Sequence, residues 1–131
     1  MKKFLNLGSQ PLANSYIKKN NLKLKEKKFK LEVGFNKKNY LVSIINTVPK
    51  EKMFNNEYPY KSSESRTMRR SFKDLAKKIK KHYKPKFIIE IGSNDGAFLK
   101  NFNKNIAVGV EPCKNLAKLK IKKKYKTYSE Y

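Results

Sequence analysis

Two short stretches of the chain place carboxylates and glycines where they could hold a small ligand. Glu90-Ile91-Gly92-Ser93-Asn94-Asp95-Gly96 follows one apolar run, and Glu111-Pro112 follows a second, with Glu111 lying 19 residues after Gly92. Glycine at 92 lets the chain turn sharply and lets a ligand approach the backbone without meeting a Cβ. A carboxylate ending the second run can accept both hydroxyls of an adenosine ribose. The glycine spacing is G-x-x-x-G rather than the G-x-G-x-x-G that cradles a pyrophosphate. Glu90 and Asp95 also add negative charge, which repels a pyrophosphate and attracts cationic amino and sulfonium groups. S-adenosylmethionine carries both groups. The plainer alternative is that Gly92 and Gly96 shape a turn and Glu111 merely ends a strand.

These residues need elements to position them. Phe87-Ile88-Ile89-Glu90-Ile91 and Ile106-Ala107-Val108-Gly109-Val110-Glu111 read as buried parallel strands. Ala97 to Phe102 is expected to open a helix whose first N–H groups would face the loop. Cys113 to Lys120 predicts a second helix, and Tyr125 to Tyr131 the start of another strand. This β-turn-α-β-α order is that of a doubly wound sheet.

Upstream, Met68, Phe72, Leu75, Ala76, Ile79 and Tyr83 form one helical face. Ser62 or Ser63 is the expected N-cap, Glu64 suits the positive end, and Pro85 stops the helix. Further upstream, Phe29-Leu31-Val33-Phe35 alternates as a half-buried strand. Asn36 to Asn39 reads as a turn and Tyr40 to Ile45 as the returning strand of a hairpin.

The expected architecture is α/β. A small β-rich module covers 1–60, a linker helix 61–85, and a Rossmann-like sheet begins over 86–131. The chain has 131 residues, with 33 Lys+Arg against 10 Asp+Glu, a net charge of +23. Such a balance points toward polyanions. Only Arg66, Arg69 and Arg70 are arginines, however, and the lysines are spread along the chain, as in an A/T-rich coding bias. Most of the charge is therefore expected to be a solvated background. One cysteine excludes an internal disulfide and a multi-cysteine zinc site. No apolar run approaches the ~20 residues of a membrane span, and no signal peptide is recognisable at the start, so a cytoplasmic location is expected.

Four blocks give a closer resemblance: Gly8-Ser9-Gln10-Pro11-Leu12-Ala13-Asn14; Met53-Phe54 with Tyr58-Pro59-Tyr60-Lys61-Ser62-Ser63; Glu90 to Gly96; and Gly109-Val110-Glu111-Pro112 with Asn115-Leu116-Ala117. In this order they resemble class I S-adenosylmethionine-dependent methyltransferases, specifically sugar C-methyltransferases acting on nucleotide-linked deoxysugars. The resemblance implies cofactor contacts from Glu90, Gly92, Ser93, Asn94, Asp95, Gly96, Glu111 and Pro112. It also implies substrate contacts from Tyr58 and Tyr60. In that family the N-terminal module binds zinc through paired cysteines. Here Glu32 to Val42 stands where one pair would fall, and no ligand set remains, so no zinc is expected. Members of the family are longer. The catalytic base and the later strands are therefore expected beyond this chain, in a partner chain supplying the missing half or lost by truncation. No catalytic residue is assigned here, and the chain alone is expected to turn over little or nothing.

His82 reads as a solvated residue at a helix end, and Cys113 as a packed thiol with reactivity as the lesser alternative. Ser62 and Ser63 read as caps before ligand contacts. Two other functions stay open: a basic nucleic-acid-binding protein, with steeply salt-dependent affinity, and a non-functional truncated gene product.

Overall fold

In a computed structural model of the chain, residues 1–122 and 124–131 are described, residues 120–122 by their backbone. The chain divides into two compact units, Met1–Met53 and Phe54–Tyr131.

In the first unit, β1 (Lys2–Pro11), β2 (Lys28–Phe35) and β3 (Val42–Ile44) form an antiparallel sheet in that order. The hairpin expected from the alternation over 29–45 is present: Val33 faces Ile44 and Phe35 faces Val42. Its turn closes with Asn36 N–H donating to Leu41 O at 2.9 Å. β1 lies on the other side of β2, with irregularities between Lys3 and Leu5 and between Asn6 and Ser9. At the second of these Gly8 takes φ +73° and its N–H donates to Asn6 Oδ1 at 2.9 Å, an Asx turn within the strand. Polar side chains tie the strands: Lys3 Nζ meets Glu32 Oε1 at 2.8 Å, and Asn46 Nδ2 donates to Glu32 Oε2 at 2.9 Å. A single helical turn, α1 (Lys50–Met53), ends the unit.

The second unit begins with a strap, Phe54 to Ser65, that leads into α2 (Arg66–Tyr83). The helix starts later than the sequence suggests. Ser65, not Ser62 or Ser63, is the N-cap, its hydroxyl accepting from Met68 N–H at 3.2 Å. Ser62–Glu64 form a 3-10 turn, so they are already committed one turn upstream. At the other end Lys84 caps the helix in the left-handed conformation and Pro85 follows. Met68, Phe72, Ala76 and Ile79 turn inward, whereas Leu75 and Tyr83 are exposed.

β4 (Ile88–Ile91), β5 (Ala107–Val110) and β6 (Lys126–Tyr128) form a parallel sheet in that order, with α3 (Lys114–Lys122) between β5 and β6. The chain is thus mixed α/β, with one antiparallel and one parallel three-stranded sheet. Two expectations fail here. Residues 97–102 form no α-helix, only a 3-10 turn over Leu99–Asn101. Asn101 accounts for this, because its Nδ2 donates to the carbonyls of Ala97 and Phe98 at 3.2 and 2.9 Å and so ends the turn. Nor is β4 buried on both faces: Ile89 and Ile91 are 54% and 82% exposed. β4 is an edge strand of this sheet, and Ile89 and Ile91 alternate onto the face opposite Ile88, away from the Leu99 cluster that covers the other side. The core instead joins Ala76, Leu99, Phe102 and Ala107, with Ile79, Ile88, Phe98 and Tyr125 packed around them. Phe98 meets Phe72 and Phe102 edge-on at 5.7 and 5.1 Å.

Candidate functional site

The parallel register sets the site. Glu90 pairs with Gly109 and Ile91 with Val110, so the loop after β4 and the acidic residue after β5 emerge side by side at the same end of the sheet. Ser93 fastens the loop, its N–H and its hydroxyl both donating to Val110 O at 3.0 and 3.1 Å. Gly109 permits this close approach. A Cβ there would lie 2.6 Å from Ser93 Oγ and 2.9 Å from Leu99 Cδ1. The sequence offered that glycine as a mere strand residue, and an interior strand glycine is itself a sign of close backbone approach.

The loop turns through left-handed residues: Gly92 at φ +69°, Asn94 at +46° and Gly96 at +79°. A Cβ at Gly92 would meet nothing within 4 Å, so its requirement for glycine is conformational and the space beside it is open. Gly96 N–H closes the turn onto Ser93 O at 2.9 Å.

Glu111 is 4% exposed and binds two backbone groups. Its Oε2 accepts from Asn94 N–H at 2.6 Å and its Oε1 from Cys113 N–H at 2.9 Å. One carboxylate thereby joins the glycine loop to the start of α3. A carboxylate offers about four lone-pair positions, so two acceptor sites remain. Pro112 stands between these two anchor points and is half-buried, and Cys113 is a buried thiol at 1% exposure. The helix N-terminus expected after the loop is absent, because the 97–102 stretch is not α-helical. The amide donors there belong to the loop itself.

The strap is bound to the same loop. Ser62 N–H donates to Asn94 Oδ1 at 2.9 Å and Ser63 N–H to Asp95 Oδ1 at 3.3 Å. Asn94 Nδ2 donates to Tyr60 O at 3.2 Å, and Asn115 Nδ2 to Tyr58 O at 2.8 Å. Arg69 adds a clasp, its guanidinium donating to Ser63 O and Glu64 O. Tyr58 and Tyr60 are therefore carried to the border of the loop, the first half-buried and the second 44% exposed. Ser62 and Ser63 act here through their backbone rather than as helix caps.

The residues singled out from the sequence, Tyr58, Tyr60, Gly92 to Gly96 and Glu111 with Pro112, are thus brought together. Glu90 lies on β4 beside Gly109, with its Oε2 buried. Asn115 was missed. Its amide holds the strap, and its Oδ1 is buried without a hydrogen-bond partner among the described residues. Its place one turn after Glu111 was the available signal. His82 stands apart at the exposed end of α2. Glu90, Asp95 and Glu111, three of the 10 acidic residues, make this end of the sheet acidic in a chain of net charge +23.

Residues 1–54 match a family model described as "Putative zinc binding domain", a module associated with methyltransferases. No curated protein matches the chain. The donor set in the matched segment does not fit a zinc ion. Residues 1–54 contain neither cysteine nor histidine, and their acids are Glu26, Glu32 and Glu51. Among the described residues no three His, Cys, Asp or Glu side chains are grouped to hold a metal. The first unit is thus similar to a methyltransferase-associated module, but its own side chains do not supply the ligands that the family description implies.

Proposed function

We propose that this chain, whose first unit is similar to a methyltransferase-associated module, binds S-adenosylmethionine at the glycine loop, and that the acceptor is a carbon of a nucleotide-linked deoxysugar. The observation that carries the cofactor reading is the Glu111 carboxylate, held between Asn94 N–H and Cys113 N–H beside an open Gly92. When bound, the cofactor supplies an electrophilic methyl group on a sulfonium. The chain's own residues bind and orient it. Glu111 accepts the ribose hydroxyls through its remaining lone pairs. Gly92 admits the ligand against the backbone. Asp95 and Glu90 supply negative charge for the amino and sulfonium groups. Asn115 Oδ1, a buried acceptor, takes an N–H of the ligand. Tyr58 and Tyr60 border the acceptor through the strap. The sugar reading rests on the four sequence blocks alone.

Titration calorimetry with S-adenosylhomocysteine tests the cofactor reading. Saturable one-to-one binding is expected, with loss of at least about tenfold in Glu111→Ala, as for a site losing a charged hydrogen-bonding partner. Gly92→Ala provides a second reading, because it keeps the carboxylate and narrows only the approach. Equal affinity in all three proteins would overturn the assignment. Addition of a nucleotide-linked deoxysugar to the loaded protein, followed by saturation-transfer NMR, tests the acceptor. Absence of transfer to the sugar would remove that part.

A further inference from the structure

The chain's 33 basic residues include only three arginines, Arg66, Arg69 and Arg70, and all three fall in the first turns of α2. A lysine-rich background does not produce that clustering. Over its 18 residues, about 27 Å at 1.5 Å per residue, α2 carries one acidic residue, Asp74. The helical repeat sets Arg66, Arg70, Lys73, Lys77 and Lys81 in one line, and Lys84 follows at the C-cap; all six are exposed. Successive members lie about 4.5–6 Å apart along the axis. Arg69 is not in this line, since its guanidinium holds the strap.

We propose that this ridge is a binding surface for the phosphodiester backbone of a nucleic acid. A continuous cationic row favours a linear polyanion over a single phosphate, and Arg66 and Arg70 add the planar fork that matches phosphate oxygens. The other polyanion with an extended surface is an anionic membrane, and the packing of α2 argues against it. A helix lying in a bilayer interface buries its apolar face among lipid chains. In α2 that face is occupied by the protein itself: Phe72 meets Phe98 at 5.7 Å, Ala76 is 1% exposed, and Ile79 packs on the core. Backbone contacts of this kind position a nucleic acid without reading its sequence. The proposal does not rest on the cofactor reading.

Fluorescence anisotropy of the full chain with a labelled 20-nucleotide single-stranded RNA and a labelled 20-base-pair DNA duplex, over a potassium chloride series, tests it. The ridge variant is Arg66→Gln/Arg70→Gln/Lys73→Gln/Lys77→Gln. The control, Lys19→Gln/Lys23→Gln/Lys25→Gln/Lys27→Gln, removes the same charge from the first unit. The ridge variant is expected to bind on the order of a hundredfold more weakly at 0.1 M salt, with the log–log salt slope lowered by about 3. The control is expected to stay within about threefold of wild type. The relative losses for RNA and duplex distinguish which nucleic acid the ridge serves. Equal losses in both variants would show a diffuse charge effect and overturn the proposal, as would absence of binding by the wild type. It is equally overturned if the ridge variant loses affinity only for phosphatidylserine vesicles. Lys73→Gln/Lys77→Gln, with a circular dichroism check, keeps the test decisive should the fourfold variant unfold.

Discussion

The two units solve the same problem, holding a three-stranded sheet together, with different means. In Phe54–Tyr131 the sheet has a packed side, where Leu99, Leu116, Ala97 and Ala107 are almost fully buried. In Met1–Met53 every residue of β1 is exposed, and of β2 only Gly34 is buried. Phe4, Leu5, Leu7, Val42 and Ile44 all remain accessible there. What holds the first unit is its backbone ladder and the Lys3–Glu32–Asn46 cluster. Small modules without a sizeable core ordinarily carry a staple, such as a disulfide or a structural metal. This one contains no cysteine or histidine from which to build either. Stability in the second unit is thus set by apolar burial, and in the first by polar ties.

The largest effect that would break this comparison comes from the core. Leu99→Ala removes a side chain with 0% exposure and is expected to cost the second unit about 2–5 kcal/mol. The matched change Leu5→Ala, at a position 42% exposed, is expected to cost the first unit about 0.5 kcal/mol or less. Hydrogen exchange read by mass spectrometry separates the two units in one sample. Comparable loss of protection in both would show that the first unit has a core of similar weight.

Next comes the carboxylate that joins loop and helix. Glu111→Gln keeps one acceptor but gives up the charge and the second backbone bond. Hydrogen bonds to a charged group contribute about 1.5–3 kcal/mol, so a loss of about 2 kcal/mol is expected in urea unfolding. An unchanged midpoint would mean that Asn94 and Cys113 N–H do not depend on Glu111, and would separate the residue's structural part from its proposed ligand part.

Two glycines sharpen the same distinction. Gly109→Ala drives a Cβ into Ser93 and Leu99 and is expected to destabilise by about 1–3 kcal/mol. Gly92→Ala meets no neighbour, so only its left-handed backbone resists, at about 1–2 kcal/mol. The difference should appear in binding. Gly92→Ala is expected to weaken S-adenosylhomocysteine by more than its stability loss explains. Calorimetry on samples checked for folded fraction decides it, and parallel losses in stability and affinity would reduce Gly92 to a turn former.

The parts of this site that sequence made legible were those set by local chemistry. Gly92, Asn94 and Gly96 announce a turn, Glu111 announces a strand end, and the alternation over 29–35 announces β2. What stayed hidden depended on side-chain and sheet contacts, one of them local and the others distant in sequence. Asn101 reads as helix-compatible until its amide is seen to take the carbonyls of Ala97 and Phe98. Phe87 to Ile91 has the composition of a buried strand, but burial of Ile89 and Ile91 depends on what covers their face of the sheet, which no local pattern encodes. β1 was missed as a strand because its pairing with β2 bridges positions as far apart as Lys2 and Phe35, and because two irregularities disrupt its alternation. The strap is similar: Ser62 and Ser63 look like caps, and only the fold brings Asn94 and Asp95 to their amides.

The smallest effect concerns the polar tie of the first unit. Hydrogen bonds from Lys3 and Asn46 hold the Glu32 carboxyl below its ordinary range of about 4.3. A carboxyl with a lower value in the folded state binds its proton less readily there than in the unfolded chain. Its contribution is complete above the unfolded value and is lost as the pH falls through the folded one. Exchange protection of residues 1–53 should therefore weaken as the pH drops below about 4.3, before the apolar core of the second unit responds. Glu32→Gln should flatten that dependence while leaving the second unit unchanged. An acid slope that persists undiminished in the variant would assign the first unit's pH response to other groups and overturn the idea that this carboxylate helps to hold the module.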